Sequence, residues 1–317
     1  ELEMVKEKKL NSVNDPLVSV IMNCYNGEKF LRQAIESVYS QTYNNWEIIF
    51  WDNCSEDKSA EIAQSYDSKL IYQKGGQKMP LGAARNNALK VARGEFIAFL
   101  DVDDYWSEEK LQIQIPLFKS RKVGLVYSNS VTFHPRGRKV IQFKKNEDMP
   151  RGDVSLRIIE KYFLNLQTVV VRKSVLFGMP EQFDESMHVS EEADLFIRIA
   201  QDHDFECTTE VLAYYRVHEN NSSWTNTERF LVENTAIINK LKISYKNKHD
   251  YDKASVFLLN KGHWNCGFYY LLNKNKKKAL SSFKNIKGMR LKKALFILAI
   301  FILPKEILCS VIRYRFF

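Results

Sequence analysis

The sequence predicts an α/β fold in which a mostly parallel sheet is flanked by helices. Over residues 18–100, short apolar runs typical of strands alternate with segments whose apolar side chains recur at helical spacing. Such short alternating units form parallel sheets with helices on both faces. The last of these runs, 96–100, leads directly into three carboxylates at 101–104. Ligands of open α/β sheets bind beyond the carboxyl ends of strands, so this edge is the predicted site.

The elements follow from the local pattern. Ser55 is the expected N-cap of the second helix, and Gly94 follows the end of the third. In the first half, strands are predicted at 18–22, 47–51, 70–73 and 96–100, and helices at 27–40, 55–66 and 81–92. In the second half, strands are predicted at 123–130, 169–172 and 211–217, with helices at 190–200 and through 228–287, where 264–286 form a hairpin with a lysine-rich turn.

We expect three parts along the chain. Residues 1–15 form a polar arm, in which Glu1–Glu3 before Met4 are expected to be a vector-derived remnant. Residues 16–235 form the α/β domain, and 236–317 form a helical C-terminal region.

Charge is distributed unevenly along the chain. The formal net charge of +9 combines +12 over residues 261–317 with −3 over the rest. In the tail, 288–317, basic residues flank a ten-residue apolar run at 294–303, and a helix needs about 20 such residues to cross a bilayer. We therefore predict a helix lying in the membrane interface, with a helix packed on the core as the alternative.

Composition indicates the cellular compartment and limits the classes of binding partner. The five cysteines form no Cys-x-x-Cys pair and no secretory leader is recognisable, so we expect a cytoplasmic protein, peripheral on the inner face of the membrane. Tyr269 and Tyr270 lie among lysines, as in RNA-binding surfaces, but the apolar tail does not fit such a surface, so no nucleic acid is expected.

Asp101, Asp103 and Asp104 are the strongest chemical signal. Clustered carboxylates repel one another unless a cation lies among them, and hard oxygen ligands suit Mg²⁺ or Mn²⁺. Such an ion would in turn bind a diphosphate. The alternative is an acidic turn that also caps a helix.

Several short segments allow comparison with known families. They are Val18–Asn26, Trp51–Asp57, Gly82–Asn86, Ala92–Ile97, Asp101–Asp104, Glu191–Arg198 and Tyr215–His218. In order and spacing they resemble the inverting family 2 glycosyltransferases of the GT-A fold, of the bacterial type that builds surface glycans or lipid-linked oligosaccharides. The resemblance covers about residues 16–235 and implies a Rossmann-like GT-A sheet, a UDP-sugar donor, and Mn²⁺ or Mg²⁺.

The resemblance also implies the nucleotide site. Tyr25 would stack on uracil, or else be a packed turn tyrosine. Asp52 would accept a hydrogen bond from uracil N3, or else form a turn. Arg85 would reach the nucleotide, or else be an ordinary helix-surface arginine. Asp101 would contact the ribose or a metal-bound water.

By the same resemblance, Asp103 ligates the metal, Asp101 contributes to its shell, and His218 completes that shell. Glu192 aligns with the family's usual aspartate and would be the general base, which takes a proton from the acceptor hydroxyl. Glu191 is the fallback, although an acidic helix N-terminus also explains it.

Four further side chains have weaker roles. Asp104 orients either the loop or the acceptor, and Trp106 stacks on a sugar or forms a hydrophobic staple. Asp194 and Arg198, spaced i,i+4, are expected to form a surface ion pair.

The sequence thus predicts an inverting, metal-dependent glycosyltransferase. It would move a sugar from a UDP-sugar to a hydroxyl of a glycan acceptor, which the membrane-directed tail indicates to be lipid-linked. Residues 23–29 hold one glycine, which argues against nucleotidyltransferases and dinucleotide-binding dehydrogenases. The alternative is a catalytically degenerate scaffold, supported only by glutamate instead of aspartate at 192.

Overall fold

One mixed sheet forms the centre of the protein. The structure is a computed structural model that describes residues 15–134, 137–145, 147–218, 227–244, 248–273, 275–288 and 297. The strands are β1 (Val18–Cys24), β2 (Trp46–Asp52), β3 (Leu70–Lys74), β4 (Phe96–Phe99), β5 (Tyr105–Trp106), β6 (Val123–Phe133), β7 (Lys139–Ile141), β8 (Val169–Arg172) and β9 (Asp204–Arg216).

The strand order is β3-β2-β1-β4-β8-β6-β9-β5, with β7 beside β6. β1 to β4 are parallel to one another, whereas β8 runs against both β4 and β6. β6 and β9 are parallel, and β5 and β7 are antiparallel to their neighbours. Most strands therefore run in one direction, which confirms the predicted α/β sheet.

The helices flank this sheet and continue beyond it. They are α1 (Glu28–Tyr39), α2 (Ser59–Gln64), α3 (Leu81–Val91), α4 (Lys110–Gln114), α5 (Ser155–Glu160), α6 (Lys173–Gly178), α7 (Glu191–Ile199), α8 (Thr227–Ser244), α9 (Lys248–Leu272) and α10 (Lys276–Lys284), with single 3₁₀ turns at Ile115–Leu117 and Leu166–Thr168.

Two apolar clusters form the core, one on each face of the sheet. Successive side chains of a strand point to opposite faces. Val20 of β1 accordingly packs with Leu31 of α1 in one cluster, whereas Ile21 packs with Leu89 of α3 in the other. The helices therefore cover both faces, and the strand ends remain as the edge where a ligand can bind.

The cap predicted for the second helix is wrong. α2 begins at Ser59, not near Ser55. The Ser55 backbone N–H donates to Asp52 Oδ1 at 2.7 Å, and Asp57 Oδ1 accepts from the Ser59 N–H at 3.0 Å. Residues 52–58 therefore form a turn, because aspartates at both of its ends bind backbone N–H groups.

The C-terminal helices pack directly on the α/β core. The boundary expected at residue 235 falls inside α8, and Ile237 and Leu241 of that helix belong to the same apolar cluster as the sheet. α9 contributes Tyr251 and Leu258 to it. The first part of the chain and these helices thus share one core.

The predicted membrane-interface segment lies outside the described residues, apart from Gly288 and Ile297. Within the described ranges, no helix combines the length and the apolar character needed to cross a bilayer.

Candidate active site

A cleft of about 910 Å³ opens beyond the carboxyl ends of β1 and β4. It lies where ligands of α/β sheets are expected to bind. Most of the predicted site residues line this one cleft, although they are distant in sequence. They are Tyr25, Arg85, Asp101, Asp103, Glu191, Glu192 and His218.

The acidic loop after β4 packs tightly against the start of α1. A Cβ atom on Gly27 would lie 2.7 Å from Val102 Cγ2, closer than real contacts allow. Glycine at this position therefore lets Val102 pack against the loop after β1. Asp101 and Asp103 are the residues before and after Val102 in the sequence. The Asp104 N–H donates to the Asp101 carbonyl at 3.0 Å and closes the turn.

The three aspartates of this loop form a carboxylate cluster. Each offers one oxygen, and these atoms lie within 4.8 Å of one another. Burial, reinforced by Asp103 and Asp101, raises the pKa of Asp104 well above its usual range. Burial also raises the pKa of Asp101, although Arg85 opposes that shift. The cluster is thus a concentration of hard oxygen donors with excess negative charge.

Arg85 joins this cluster to α7. Its guanidinium donates to Glu191 Oε1 at 2.5 Å and to Asp101 Oδ1 at 3.1 Å, and its side chain is 3% exposed. It is therefore not the surface arginine considered as an alternative. Because a buried cation requires charged partners, α3, α7 and the loop after β4 are held in one arrangement.

The end of β9 reaches the cluster from the other side. The Arg216 N–H donates to Asp104 Oδ1 at 2.8 Å, and Arg216 Nε donates to the Asp103 carbonyl at 3.0 Å. Two residues further on, His218 Nε2 lies 2.8 Å from Asp103 Oδ2. His218 therefore meets the acidic loop, as the sequence predicts, and Arg216 is a positioning residue that sequence reasoning missed.

Glu192 lines the cleft and has a strongly altered pKa. Burial, together with the carboxylates of Glu191 and Asp101, raises its pKa to about 8, although Arg85 opposes the shift. The Tyr162 hydroxyl donates to Glu192 Oε1 over 3.4 Å. A carboxylate with a pKa near neutrality is suited to proton transfer.

Tyr25 stands at the mouth of the cleft. Its ring is 42% exposed, and Lys78 Nζ lies 3.4 Å from the ring centroid. The tyrosine is thus an open aromatic surface rather than a packed turn residue. Lys78 was not predicted, because the loop that carries it contains no recognisable motif.

Three of the predicted site residues, Asp52, Asp104 and Trp106, are not among those that line the cleft. Asp52 is buried, and its oxygens accept from the Tyr72 hydroxyl and the Ser55 N–H, both at 2.7 Å. The structure thus supports the turn alternative for Asp52. Asp104 is also buried and binds the Arg216 N–H, so it orients the loop and not the acceptor.

The sugar-stacking role of Trp106 is wrong. Its ring is 3% exposed within the core, and its Nε1 donates to the Gln167 carbonyl at 2.8 Å. Pairing of β5 with β9 turns this side chain inward. It is a core residue of a short strand and contacts no ligand.

Asp194 and Arg198 form an i,i+4 pair, but not at the surface. Asp194 is buried, and Arg198 also donates to the carbonyls of Glu181 and Gln182. Lys240 of α8 binds Asp184 and lies 3.5 Å from Asp194. The pair therefore fastens α7 to the preceding loop and to α8.

Glu233 of α8 holds the loop that leads into α7. The backbone N–H of His188 donates to its Oε1, and those of Val189 and Ser190 donate to its Oε2, at 2.9 to 3.0 Å. Since α7 begins directly afterwards, with Glu191, this buried carboxylate positions the catalytic candidates. No sequence signal indicates a bond between segments so far apart along the chain.

The sequence of this chain is similar to those of known proteins. The sequence profile of Glycosyl transferase family 2 matches residues 19–169. The uncharacterized glycosyltransferase MJ1057 of Methanocaldococcus jannaschii is 30% identical over 275 residues, which cover 83% of this chain and 89% of that protein. The chain therefore belongs to glycosyltransferase family 2, and it is a glycosyltransferase.

A second relative matches over a shorter region. The UDP-Glc:α-D-GlcNAc-diphosphoundecaprenol β-1,3-glucosyltransferase WfaP of Escherichia coli is 43% identical over 114 residues, which cover 36% of this chain and 45% of that protein. Among solved structures, S. aureus TarS in complex with UDP-GlcNAc superposes with a TM-score of 0.67 at 22% identity, over 85% of this chain and 80% of TarS. This likeness confirms the GT-A fold.

The Glu233 contact generates a stability prediction. We expect Glu233→Gln to lower the free energy of unfolding by about 1–3 kcal/mol, because an amide leaves at least one buried N–H without an acceptor. Glu36→Gln, at an exposed position of α1, should change it by less than about 0.5 kcal/mol. Urea denaturation of both variants measures the difference, and equal midpoints would show that Glu233 does not hold the loop.

Proposed function

We propose that this protein is an inverting, metal-dependent glycosyltransferase that transfers a sugar from a UDP-sugar to a hydroxyl of a lipid-linked glycan. The observation that carries the proposal is the presence in one cleft of a carboxylate cluster and, separately, a glutamate with a pKa of about 8. The first suits a metal–diphosphate complex, and the second suits a general base.

The residues present fit a divalent cation. Asp101 and Asp103 offer carboxylate oxygens, and His218 offers an imidazole nitrogen beside Asp103. Nearby, Asp104 Oδ2 is buried without a hydrogen-bond partner among the described residues, so this oxygen lacks a partner that a ligand could supply. Oxygen donors with one imidazole suit Mn²⁺ or Mg²⁺. When bound, the ion neutralises charge on the departing nucleoside diphosphate.

The chain's own residues perform the other tasks. Arg85 fixes Asp101 and Glu191 relative to each other, and the exposed ring of Tyr25 is available for a nucleobase. Glu192 removes the proton from the acceptor hydroxyl while the oxygen of that hydroxyl attacks the anomeric carbon of the donor sugar. The bond from that carbon to the diphosphate oxygen breaks in the same step, so the configuration inverts.

The nature of the substrates rests on the relatives. WfaP is named for UDP-Glc and a diphosphoundecaprenol acceptor, and TarS was solved with UDP-GlcNAc. A UDP-sugar and a lipid-linked acceptor are therefore the substrates we propose here. With such substrates, we propose that the protein acts on the inner face of the membrane, a location supported by the basic, apolar tail predicted from the sequence.

The proposal is tested by donor turnover. Purified protein with Mn²⁺ is incubated with a panel of UDP-, GDP- and TDP-sugars, and the released nucleoside diphosphate is measured with and without EDTA. We expect slow hydrolysis of a UDP-sugar that EDTA abolishes. If no donor is turned over and none binds at equilibrium, the degenerate-scaffold alternative is correct instead.

The acidity of Glu192 predicts the pH dependence of the same reaction. A base must be ionised to act, so kcat/KM should rise about tenfold per pH unit below about 8 and level off above it. Glu192→Gln should lower transfer about a hundredfold or more at every pH, whereas Glu36→Gln, exposed on α1, should retain the profile. A variant at 192 with undiminished transfer would refute the assignment of the base.

A further inference from the structure

One polar group facing the cleft is not used by the mechanism above. Gln167 lies in the 3₁₀ turn before β8 and is one of the residues that line the cleft, although it is only 2% exposed. Its Nε2 is buried and has no hydrogen-bond partner among the described residues. An unpaired buried donor costs free energy, so its retention beside a ligand cleft calls for a partner that arrives with the ligand.

Strand register places Gln167 relative to the other site residues. In the antiparallel pairing of β4 with β8, Ala98 lies opposite Val170. Gln167 precedes β8 and Asp101 follows β4, and both residues line the cleft at the edge where the acidic loop begins. The Gln167 backbone is fixed there, because its carbonyl accepts from Trp106 Nε1.

The order of the strands indicates where each part of a bound ligand would lie. Tyr25 follows β1, which lies on one side of β4, and Gln167 precedes β8, which lies on the other. A ligand whose base lies at Tyr25 and whose diphosphate lies at the acidic loop must extend its remaining part toward β8 and α7. That part of a nucleotide-sugar is the sugar ring.

A second unpaired group lies on the same side. Glu191 is 3% exposed, one of its oxygens is bound by Arg85, and its Oε2 has no partner within the described ranges. Glu191 therefore offers an acceptor where Gln167 offers a donor. A sugar hydroxyl both donates and accepts hydrogen bonds, so one ring bearing adjacent hydroxyls can satisfy both groups.

We infer that Gln167 is a specificity-determining residue that donates from Nε2 to a ring hydroxyl or ring substituent of the donor sugar. This inference rests on the proposed function and deepens it. The amide would favour sugars that present an oxygen at that position over those that lack one, because an unsuitable sugar leaves the buried donor unpaired.

The test separates the sugar from the nucleotide. In the presence of Mn²⁺, the dissociation constants of UDP and of the preferred UDP-sugar are measured by calorimetry for the wild type and Gln167→Met, which keeps the side-chain length without a donor. We expect the UDP-sugar to bind about tenfold more weakly and UDP to change less than about twofold. Gln167→Glu, which keeps an oxygen but removes the donor, should behave alike.

A glutamine far from the cleft provides the matched control. Gln64→Met, exposed on α2 outside the cleft, should leave both constants unchanged. If the substitution weakens the binding of UDP and of the UDP-sugar equally, or if it raises only the KM of the acceptor, Gln167 does not contact the donor sugar. If the wild type binds neither UDP nor any UDP-sugar, the proposed function itself fails, and this inference fails with it.

Discussion

The buried ion pairs of Arg85 are the interaction on which the rest of the site depends. A guanidinium at 3% exposure has left water, and it is stable there because Asp101 and Glu191 surround it. Through these two bonds α3 holds both the loop after β4 and the first turn of α7. The metal candidates and the candidate base are thereby kept at a fixed separation, which a single displacement requires.

The guanidinium groups of Arg85 and Arg216 do not fully compensate the five carboxyl groups gathered at this edge of the sheet. Asp101, Asp103 and Asp104 lie within a few ångströms, and Glu191 and Glu192 approach from α7. Burial, reinforced by this crowding of carboxyl groups, raises the pKa values of Asp104 and Glu192. The excess negative charge at the edge of the sheet is the physical reason for a cation at this place, and a bound cation is in turn the reason for a diphosphate.

The sequence predicted what depends on local pattern. Apolar periodicity located the strands and helices around the acidic loop, and the resemblance brought Arg85, Glu192 and His218 to the cleft, where the structure has them. The local pattern did not predict which side chains become buried when distant strands pair. Trp106 faces the core because β5 pairs with β9. Asp52 accepts a hydrogen bond from Tyr72, and no residue near Asp52 in the sequence indicates this contact. Glu233 and Gln167 carry no motif, and their roles follow only from contacts made after folding.

If the acidic loop binds a metal–diphosphate complex, the affinity for UDP must depend on the metal and on Asp103. UDP is titrated into the wild-type protein and into Asp103→Asn by calorimetry, once with Mn²⁺ and once with EDTA. We expect Mn²⁺ to tighten UDP binding to the wild type about tenfold or more, and the substitution to remove this coupling. Equal affinities for UDP in Mn²⁺ and EDTA, in the wild type, would contradict it.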